Sequence, residues 1–424
     1  MKPGPILPNA LFITLLNVVA RSAQLLLFLA IGNLYGANDT TDTILKLQAP
    51  LLVIVTVVAG VADVVVMPTL HRAAVYGLEH EVQKRLSGYV FVTVGGISLI
   101  ALLVTFFIVS PKSVGPLFFL FPIPILAAQS AIYTGALNAQ GRHRLAALGP
   151  LYGGSLAIIA LLMLPASEIS LASTLLAYEL MRALGLRANL RSFINKAPEP
   201  CDPVQLKAII IRALQNAKIQ ALGSFLVGLN PLIAITFASH LGESAVTLVE
   251  YANRLWNAVP LLFSGNIILF FSHASRNEAA KQGMLVAAHN AATRFGVIAL
   301  IISMLFIVWR HQITFLLYGN GELDPTLQSQ FAELLGCYFF GAGPFIASIV
   351  YTRIFSARGE PGVLVKAAAF SVAANCTFNW IFVSMLGLSG IGVASAITHL
   401  SVMILLALTL IRSPIARYEN SSWH

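Results

Sequence analysis

The sequence contains few charged residues. Only 10% of its 424 residues are Asp, Glu, Lys or Arg, whereas a soluble domain carries about 25%. Hydrophobic residues make up 57% of the chain, and the mean hydropathy is +0.82. This composition excludes a large soluble enzyme and indicates that much of the chain lies in a membrane.

Cysteine is scarce, and the common catalytic motifs are absent. The three cysteines, Cys201, Cys337 and Cys376, have no metal-ligand spacing, so we interpret them as small buried hydrophobic residues. The sequence has no glycine-rich phosphate loop ending in Lys-Ser/Thr, no His-Glu-x-x-His and no nucleophile elbow. We therefore predict a protein that is not an enzyme, with no metal and no cofactor. Without a nucleotide-hydrolysing motif, any energy that the protein uses would come from an ion gradient, the membrane potential or a substrate gradient.

Long apolar blocks are the dominant feature of the sequence. Each of them has roughly the 20 residues that a helix needs to cross a bilayer. Because backbone groups must be satisfied without water, spans of this kind are helical. We predict an all-α polytopic membrane protein with twelve spans at residues 10–33, 48–68, 89–109, 116–138, 145–164, 171–190, 214–240, 247–271, 293–309, 331–354, 364–386 and 391–411.

The net charge of +9 follows the predicted topology. Most of the 26 basic residues fall in alternate loops, and positive loops stay in the cytoplasm. Both termini are therefore predicted to be cytoplasmic, and nucleic acid is not a predicted partner. The cytoplasmic set is Lys2, Arg72, Lys84, Arg85, Arg142, Arg144, Arg182, Arg187, Arg191, Lys196, Lys207, Arg212, Arg276, Lys281, Arg294, Arg353, Arg358, Lys366, Arg412 and Arg417. The opposite side holds Lys112 and Arg310.

The two halves of the chain resemble each other. In "YGANDTTDTILKLQAPLL" and "HLGESAVTLVEYANRLWNAVPLL", a glycine precedes an acid-x-x-x-base pair and then Pro-Leu-Leu. The glycines are Gly36 and Gly242, and a second match sets Gly141 against Gly359. Six spans per half give both halves the same orientation, so we predict a parallel pseudo-two-fold repeat. The predicted parts are a lobe at 1–190, a cytoplasmic linker at 191–207, a lobe at 208–412 and a cytoplasmic tail at 413–424.

Arg21 lies midway along the first predicted span. An arginine at that depth costs about 2.5–3.5 kcal/mol on insertion scales, so it should face the protein interior or a watery cavity. One interpretation is a buried ion pair with Asp63, and the other is a binding site for an anion. A guanidinium group offers a planar fork of donors that matches phosphate oxygens.

The acid-base pairs Asp42/Lys46 and Glu250/Arg254 also allow two interpretations. Residues four apart share one helix face, so each pair could be only a local ion pair, and Asp42 could also stabilise a helix N-terminus. The functional interpretation places all four residues, with Arg21, at a substrate site.

Asn230 and Pro231 fall in the middle of the seventh predicted span. Because proline removes one backbone hydrogen bond, this position is a candidate hinge or, through the carbonyl that is freed, a candidate ion site. Asp63 is the other candidate for such a role.

Several segments resemble the MurJ/MviN-type lipid II flippases of the multidrug/oligosaccharidyl-lipid/polysaccharide exporter superfamily. These are "YGANDTTDTILKLQAP", "YANRLWNAVPLLFSGNIILFFSHASR", "TFLLYGNGELD" and "SARGEPGVLVKAAAFSVAANCTFNWIF". The resemblance implies two six-helix lobes around a cationic cavity and transport of a polyprenyl-diphosphate-linked sugar by alternating access. It also implies that membrane lipids and glycan-assembly enzymes are partners.

The resemblance assigns roles to individual residues. Arg21 matches the first-helix cavity arginine of the family, Asp42 its acid after the first loop, and Arg254 its eighth-helix arginine. Two other family arginines correspond here to Leu27 and to a position among residues 54–56. With twelve spans, the chain is expected to be a short member that lacks two further C-terminal helices.

These features favour a flippase for a lipid-linked saccharide. The alternatives are a scaffold or degenerate paralogue in envelope glycan assembly that does not transport, and a drug or organic-cation antiporter. The missing arginines favour the scaffold, and the preserved repeat favours a transporter. An antiporter for cations would need acids to dominate the cavity, whereas Arg21, Lys46 and Arg254 offset Asp42, Asp63 and Glu250.

Overall fold

The computed structural model describes residues 6–108, 114–191, 203–260, 280–357 and 360–412, and every regular element among them is helical. In the first half the helices are α1 (Ile6–Tyr35), α2 (Asp39–Val61), a π-helical segment (Ala62–Val66), α3 (Met67–Ala74), α4 (Glu79–Ile108), α5 (Val114–Leu120), α6 (Ile123–Ala139), α7 (His143–Ala147), α8 (Gly149–Met163) and α9 (Glu168–Arg191). The later helices are α10 (Pro203–Ala238), α11 (Ala245–Trp256), α12 (Ala280–Val308), α13 (Arg310–Tyr318), α14 (Pro325–Phe340), α15 (Ala342–Ala357), α16 (Pro361–Leu386) and α17 (Leu388–Ile411).

The predicted spans coincide with long apolar helices. Among the described residues, ten helices or adjoining helix pairs are long and apolar enough to cross a membrane. The pair α14 and α15 adds an eleventh candidate, with a bend of 43° at the break between them. The eighth predicted span begins with α11, but most of its remainder lies outside the described residues. The all-α membrane fold is confirmed, while the number twelve stays a prediction.

By internal contacts the chain divides into two compact units, Leu15–Leu232 and Ile233–His424, the second including Met1–Thr14. The boundary falls inside α10, because the first part of that helix belongs to the core of the first unit. Leu206, Ile210 and Ala213 of α10 are buried in one cluster with Leu186 and Leu190 of α9. The linker predicted at 191–207 lies largely outside the described residues, and the pseudo-two-fold repeat stays a prediction.

Small residues allow close helix contacts in both units. Such contacts are expected in a membrane, where the hydrophobic effect does not hold helices together and close packing takes its place. In the first unit, a Cβ atom on Gly153 would lie 2.6 Å from the carbonyl oxygen of Tyr178, and one on Gly154 would lie 3.0 Å from that of Ala23. In the second unit, a Cβ on Gly343 would lie 2.8 Å from the carbonyl oxygen of Gly296. These glycines set how closely α8 packs on α1 and α9, and α12 on α15.

The interpretation of the cysteines as buried residues was wrong for Cys376. Cys376 is exposed and Cys337 is half-buried, and both thiols are free. Cys376 lies on α16, where Trp380 and Met385 are exposed by more than two-thirds, and a thiol is apolar enough for such a surface. Cys201 lies outside the described residues.

Candidate functional site

The two predicted acid-base pairs lie on helices that begin after a tight glycine turn. Gly36 and Gly242 both have positive φ, 67° and 109°, a conformation that glycine adopts without strain. Asn38 then caps α2 through a capping box with Thr41. This capping fixes the conformation of the first turn of α2, and therefore the position of Asp42 in that turn.

Glu250 and Arg254 form a short, buried ion pair in the second unit. Arg254 Nη2 lies 2.7 Å from Glu250 Oε1, and the side chains are 15% and 5% exposed for Arg254 and Glu250. Both residues lie on α11, in which every residue from Ala245 to Ala252 is buried. Low exposure reduces solvent screening, so this pair is held more strongly than a surface pair.

Stacked aromatic rings lie close to Arg254 of this ion pair. Tyr251, next to Glu250 in the chain, stacks on Tyr318 of α13 with centroids 5.8 Å apart and planes 8° from parallel. Phe331 of α14 meets the ring of Tyr318 edge-on at 5.4 Å. Burial raises the pKa of Tyr318 by more than the nearby charge of Arg254 lowers it. The phenol therefore stays protonated beside the cation. We call Tyr251, Tyr318 and Phe331 the tyrosine box.

A second aromatic cluster anchors the end of α11. The Trp256 ring packs on Phe345 of α15 at 5.4 Å, on Phe339 of α14 at 5.9 Å and on His399 of α17 at 5.9 Å. Since Trp256 is only 2% exposed and contacts three other helices, it fixes the position of α11 in the second unit. Arg254, two residues away, is positioned by the same contacts.

Asp42 and Lys46 form a looser pair in the first unit. Lys46 Nζ lies 3.8 Å from Asp42 Oδ2, and the side chains are 40% exposed for Lys46 and 1% for Asp42. Asp42 also lies in the first turn of α2, where its negative charge is favourable. Lys46 therefore has a more accessible charged group than Arg254.

The other predicted cationic positions differ in what the structure describes. Arg21 lies on α1 and Asp63 in the π-helical segment, but their side chains lie outside the described residues. Leu27, which stands where the family resemblance leads us to expect an arginine, is 1% exposed and packed in the core. Thr56, one of the residues 54–56 among which the other arginine is expected, donates a hydrogen bond to the carbonyl of Leu52 in its own helix.

The helix α10 continues through Pro231. Proline removes the hydrogen bond that would reach the carbonyl of Val227, four residues earlier. The side-chain amide of Asn230 donates to that carbonyl oxygen at 3.4 Å. The Asn-Pro order therefore gives the freed carbonyl a donor from within the helix.

Sequence reasoning did not identify the tyrosine box. Its members come from three helices, α11, α13 and α14, and only tertiary packing brings them together. The available signal was the tyrosine within each of two quoted segments, "YANRLW" and "TFLLYGNGELD".

The family model for lipid II flippase MurJ matches residues 31–420 of the chain. The chain belongs to the MurJ family. A probable lipid II flippase MurJ from Rickettsia prowazekii (strain Madrid E) is 27% identical over 173 residues, which are 40% of this chain and 34% of that relative. The aligned stretch thus spans about a third of the relative's length.

Solved structures place the MurJ-family chain in a wider fold group. A lipid II flippase MurJ in an inward closed conformation matches with a TM-score of 0.77 at 15% identity, covering 96% of this chain and 89% of that one. An outward-facing multidrug resistance MATE family transporter of the MOP superfamily matches with a TM-score of 0.71 at 17% identity, covering 97% and 96%. At these identities the likeness establishes a shared fold.

Proposed function

We propose that this chain moves a polyprenyl-diphosphate-linked saccharide, such as lipid II or a related glycan lipid, across the membrane by alternating access. Membership of the MurJ family and the fold of the MOP-type transporters support this function. The observation that carries the site assignment is the buried ion pair between Glu250 and Arg254, whose positive charge acts on Tyr318 of the tyrosine box. A guanidinium held at low exposure, with its position fixed by aromatic packing, suits bidentate binding of a diphosphate.

In this proposal, the carboxylate of Glu250 pairs with the guanidinium of Arg254 while no substrate is bound. A diphosphate replaces the carboxylate as the partner of the guanidinium, so the buried positive charge stays compensated throughout. Lys46, with its exposed ammonium group, provides a further cation in the first unit, and Asp42 orients it. Arg21 is proposed as a third cation that binds substrate.

We place the protein in the bacterial inner membrane with both termini in the cytoplasm, because the basic loops lie on one side in the predicted topology. Enzymes that build the glycan lipid are the proposed partners. The match to MATE transporters gives a specific reason to keep a drug or organic-cation antiporter as the second candidate. Each acid of the two pairs is neutralised by a base, which disfavours a cationic substrate.

Substitution of Arg254 by glutamine tests the site assignment. The purified variant is expected to bind a polyprenyl-diphosphate oligosaccharide about 10- to 100-fold more weakly, because a charge-assisted hydrogen bond contributes about 1.5–3 kcal/mol. Binding is measured by titration of the fluorescent glycan lipid into protein in detergent micelles.

Arg85→Gln is the matched control, because Arg85 also forms an i,i+4 ion pair with a glutamate, Glu81, but on an exposed surface. This control should bind like the wild type. Equal affinity of Arg254→Gln and the wild type, with both folded, would remove Arg254 from the site. Tighter binding of an organic cation than of the glycan lipid would favour the antiporter.

A further inference from the structure

A second charged cluster, which the proposed transport function does not use, lies in the second unit. Arg310 begins α13, and Glu333 lies on α14. Glu333 Oε1 accepts hydrogen bonds from Arg310 Nη2 at 2.8 Å and from Arg310 Nε at 3.3 Å, and lies 3.2 Å from His311 Nε2. Arg310 Nη1 donates to the carbonyl of Ile307 at 3.0 Å, which fixes the guanidinium at the end of α12.

This cluster is open to its surroundings. The side chains of Arg310, His311 and Glu333 are 29%, 49% and 48% exposed. A guanidinium has five N–H donors, and the hydrogen bonds above use three of them, which leaves two. Among the described residues, no hydrogen bond reaches Glu333 Oε2. The cluster therefore presents unused donors next to an unused carboxylate oxygen.

The cluster lies at the end of an apolar span, at the depth of the lipid headgroups. The apolar span His289–Val308 ends two residues before Arg310. Val308, the last residue of the span, and Trp309, which precedes Arg310, are 68% and 53% exposed. Exposed tryptophan at the end of an apolar span is typical of the membrane–water interface. Acyl chains can contact these apolar side chains while the headgroup faces Arg310 and Glu333.

We propose that Arg310, His311 and Glu333 bind the headgroup of a phosphoethanolamine lipid. The phosphate accepts from the two remaining Arg310 donors, and the ammonium group donates to Glu333 Oε2. A cluster with one acid and one permanent base is nearly neutral and complements a zwitterion. An anionic headgroup meets the Glu333 carboxylate, and a choline headgroup has no N–H to donate to it.

Native mass spectrometry of the full chain tests this proposal. The protein is reconstituted in nanodiscs containing equal amounts of phosphatidylethanolamine, phosphatidylcholine and phosphatidylglycerol with matched acyl chains, and the lipids retained on release are counted. The wild type should retain the ethanolamine lipid about threefold over each of the others, the effect of one partly screened charged contact. Glu333→Gln should lose this preference.

Glu81→Gln is the control, since it removes the acid of another exposed arginine–glutamate pair with the same 3.3 Å contact. It should leave the preference unchanged. Retention of the three lipids in equal proportion by the wild type, or an unchanged preference in Glu333→Gln, would overturn the proposal. If Glu333→Gln does not fold, Arg310→Gln provides the second variant, because it removes the two donors proposed to bind the phosphate, and unchanged retention of the ethanolamine lipid there would equally overturn the proposal.

Discussion

Replacing Glu250 by alanine is expected to destabilise the protein by about 3–5 kcal/mol, because it leaves the buried Arg254 guanidinium without its carboxylate. Arg254 has little freedom to reach water, since its side chain is 15% exposed and α11 is fixed by the packing of Trp256. Thermal and denaturant unfolding of the purified protein in a fixed detergent measures the loss.

A double variant separates the charge from the packing. Replacing a whole buried ion pair by apolar residues is often nearly neutral, so Glu250→Ala/Arg254→Leu should recover most of the lost stability. Glu81→Ala removes the acid of an exposed pair and should change stability by less than about 1 kcal/mol. A double variant as unstable as Glu250→Ala alone would show that the ion pair is not the cause.

Replacing Gly153 by alanine is expected to destabilise the first unit by about 3 kcal/mol, the upper end of the usual cost of overpacking. The new Cβ would lie 2.6 Å from the backbone oxygen of Tyr178, so α8 and α9 would have to separate. A rotation of the Tyr178 ring cannot relieve this contact, because the atom involved belongs to the backbone. The loss of stability is measured as a fall in the unfolding midpoint.

Gly88→Ala is the matched control, and it is not expected to lower the stability of the protein. A Cβ atom on Gly88 has no neighbour within 4 Å, and the residue lies inside α4. Alanine is preferred over glycine in a helix interior by about 1 kcal/mol, so this variant should be as stable as the wild type or more stable. If Gly153→Ala were as harmless as Gly88→Ala, the close contact between α8 and α9 would be contradicted.

The sequence predicted the spans well because their signal is local. A block of apolar residues is sufficient to identify a membrane helix. The glycines that mark each acid-base segment in the sequence lie in turns with positive φ. Both acid-base pairs lie at i,i+4 spacing and meet as ion pairs, which also follows from local geometry.

Helix ends were harder to predict. The seventh span was predicted from residue 214, but α10 begins at Pro203, and the ninth was predicted from residue 293, but α12 begins at Ala280. Hydropathy marks the edge of the hydrocarbon layer, whereas backbone hydrogen bonds continue a helix into the interface where side chains are polar. The tenth predicted span, residues 331–354, is interrupted at Gly341, where a Cβ would lie 2.8 Å from Ala396 Cα.

The difference between the two ion pairs could not be predicted from the sequence. Asp42/Lys46 and Glu250/Arg254 have the same spacing, yet the base is 40% exposed in one and 15% in the other. In the second unit, α11 packs through Tyr251 and Trp256 against α13, α14, α15 and α17, which are distant in the sequence. Local patterns predict that a pair forms, and tertiary packing determines how strongly it is held.

The most direct test of the proposed function is the transbilayer movement of a fluorescent polyprenyl-diphosphate oligosaccharide in proteoliposomes. Wild-type protein is compared with the double variant Arg21→Ala/Arg254→Ala, with folding of both checked by unfolding in the same lipid. We predict that the wild type moves the glycan lipid and that the double variant does not. Failure of the wild type to move any of several glycan lipids, with a membrane potential imposed, would contradict the flippase function and favour a scaffold.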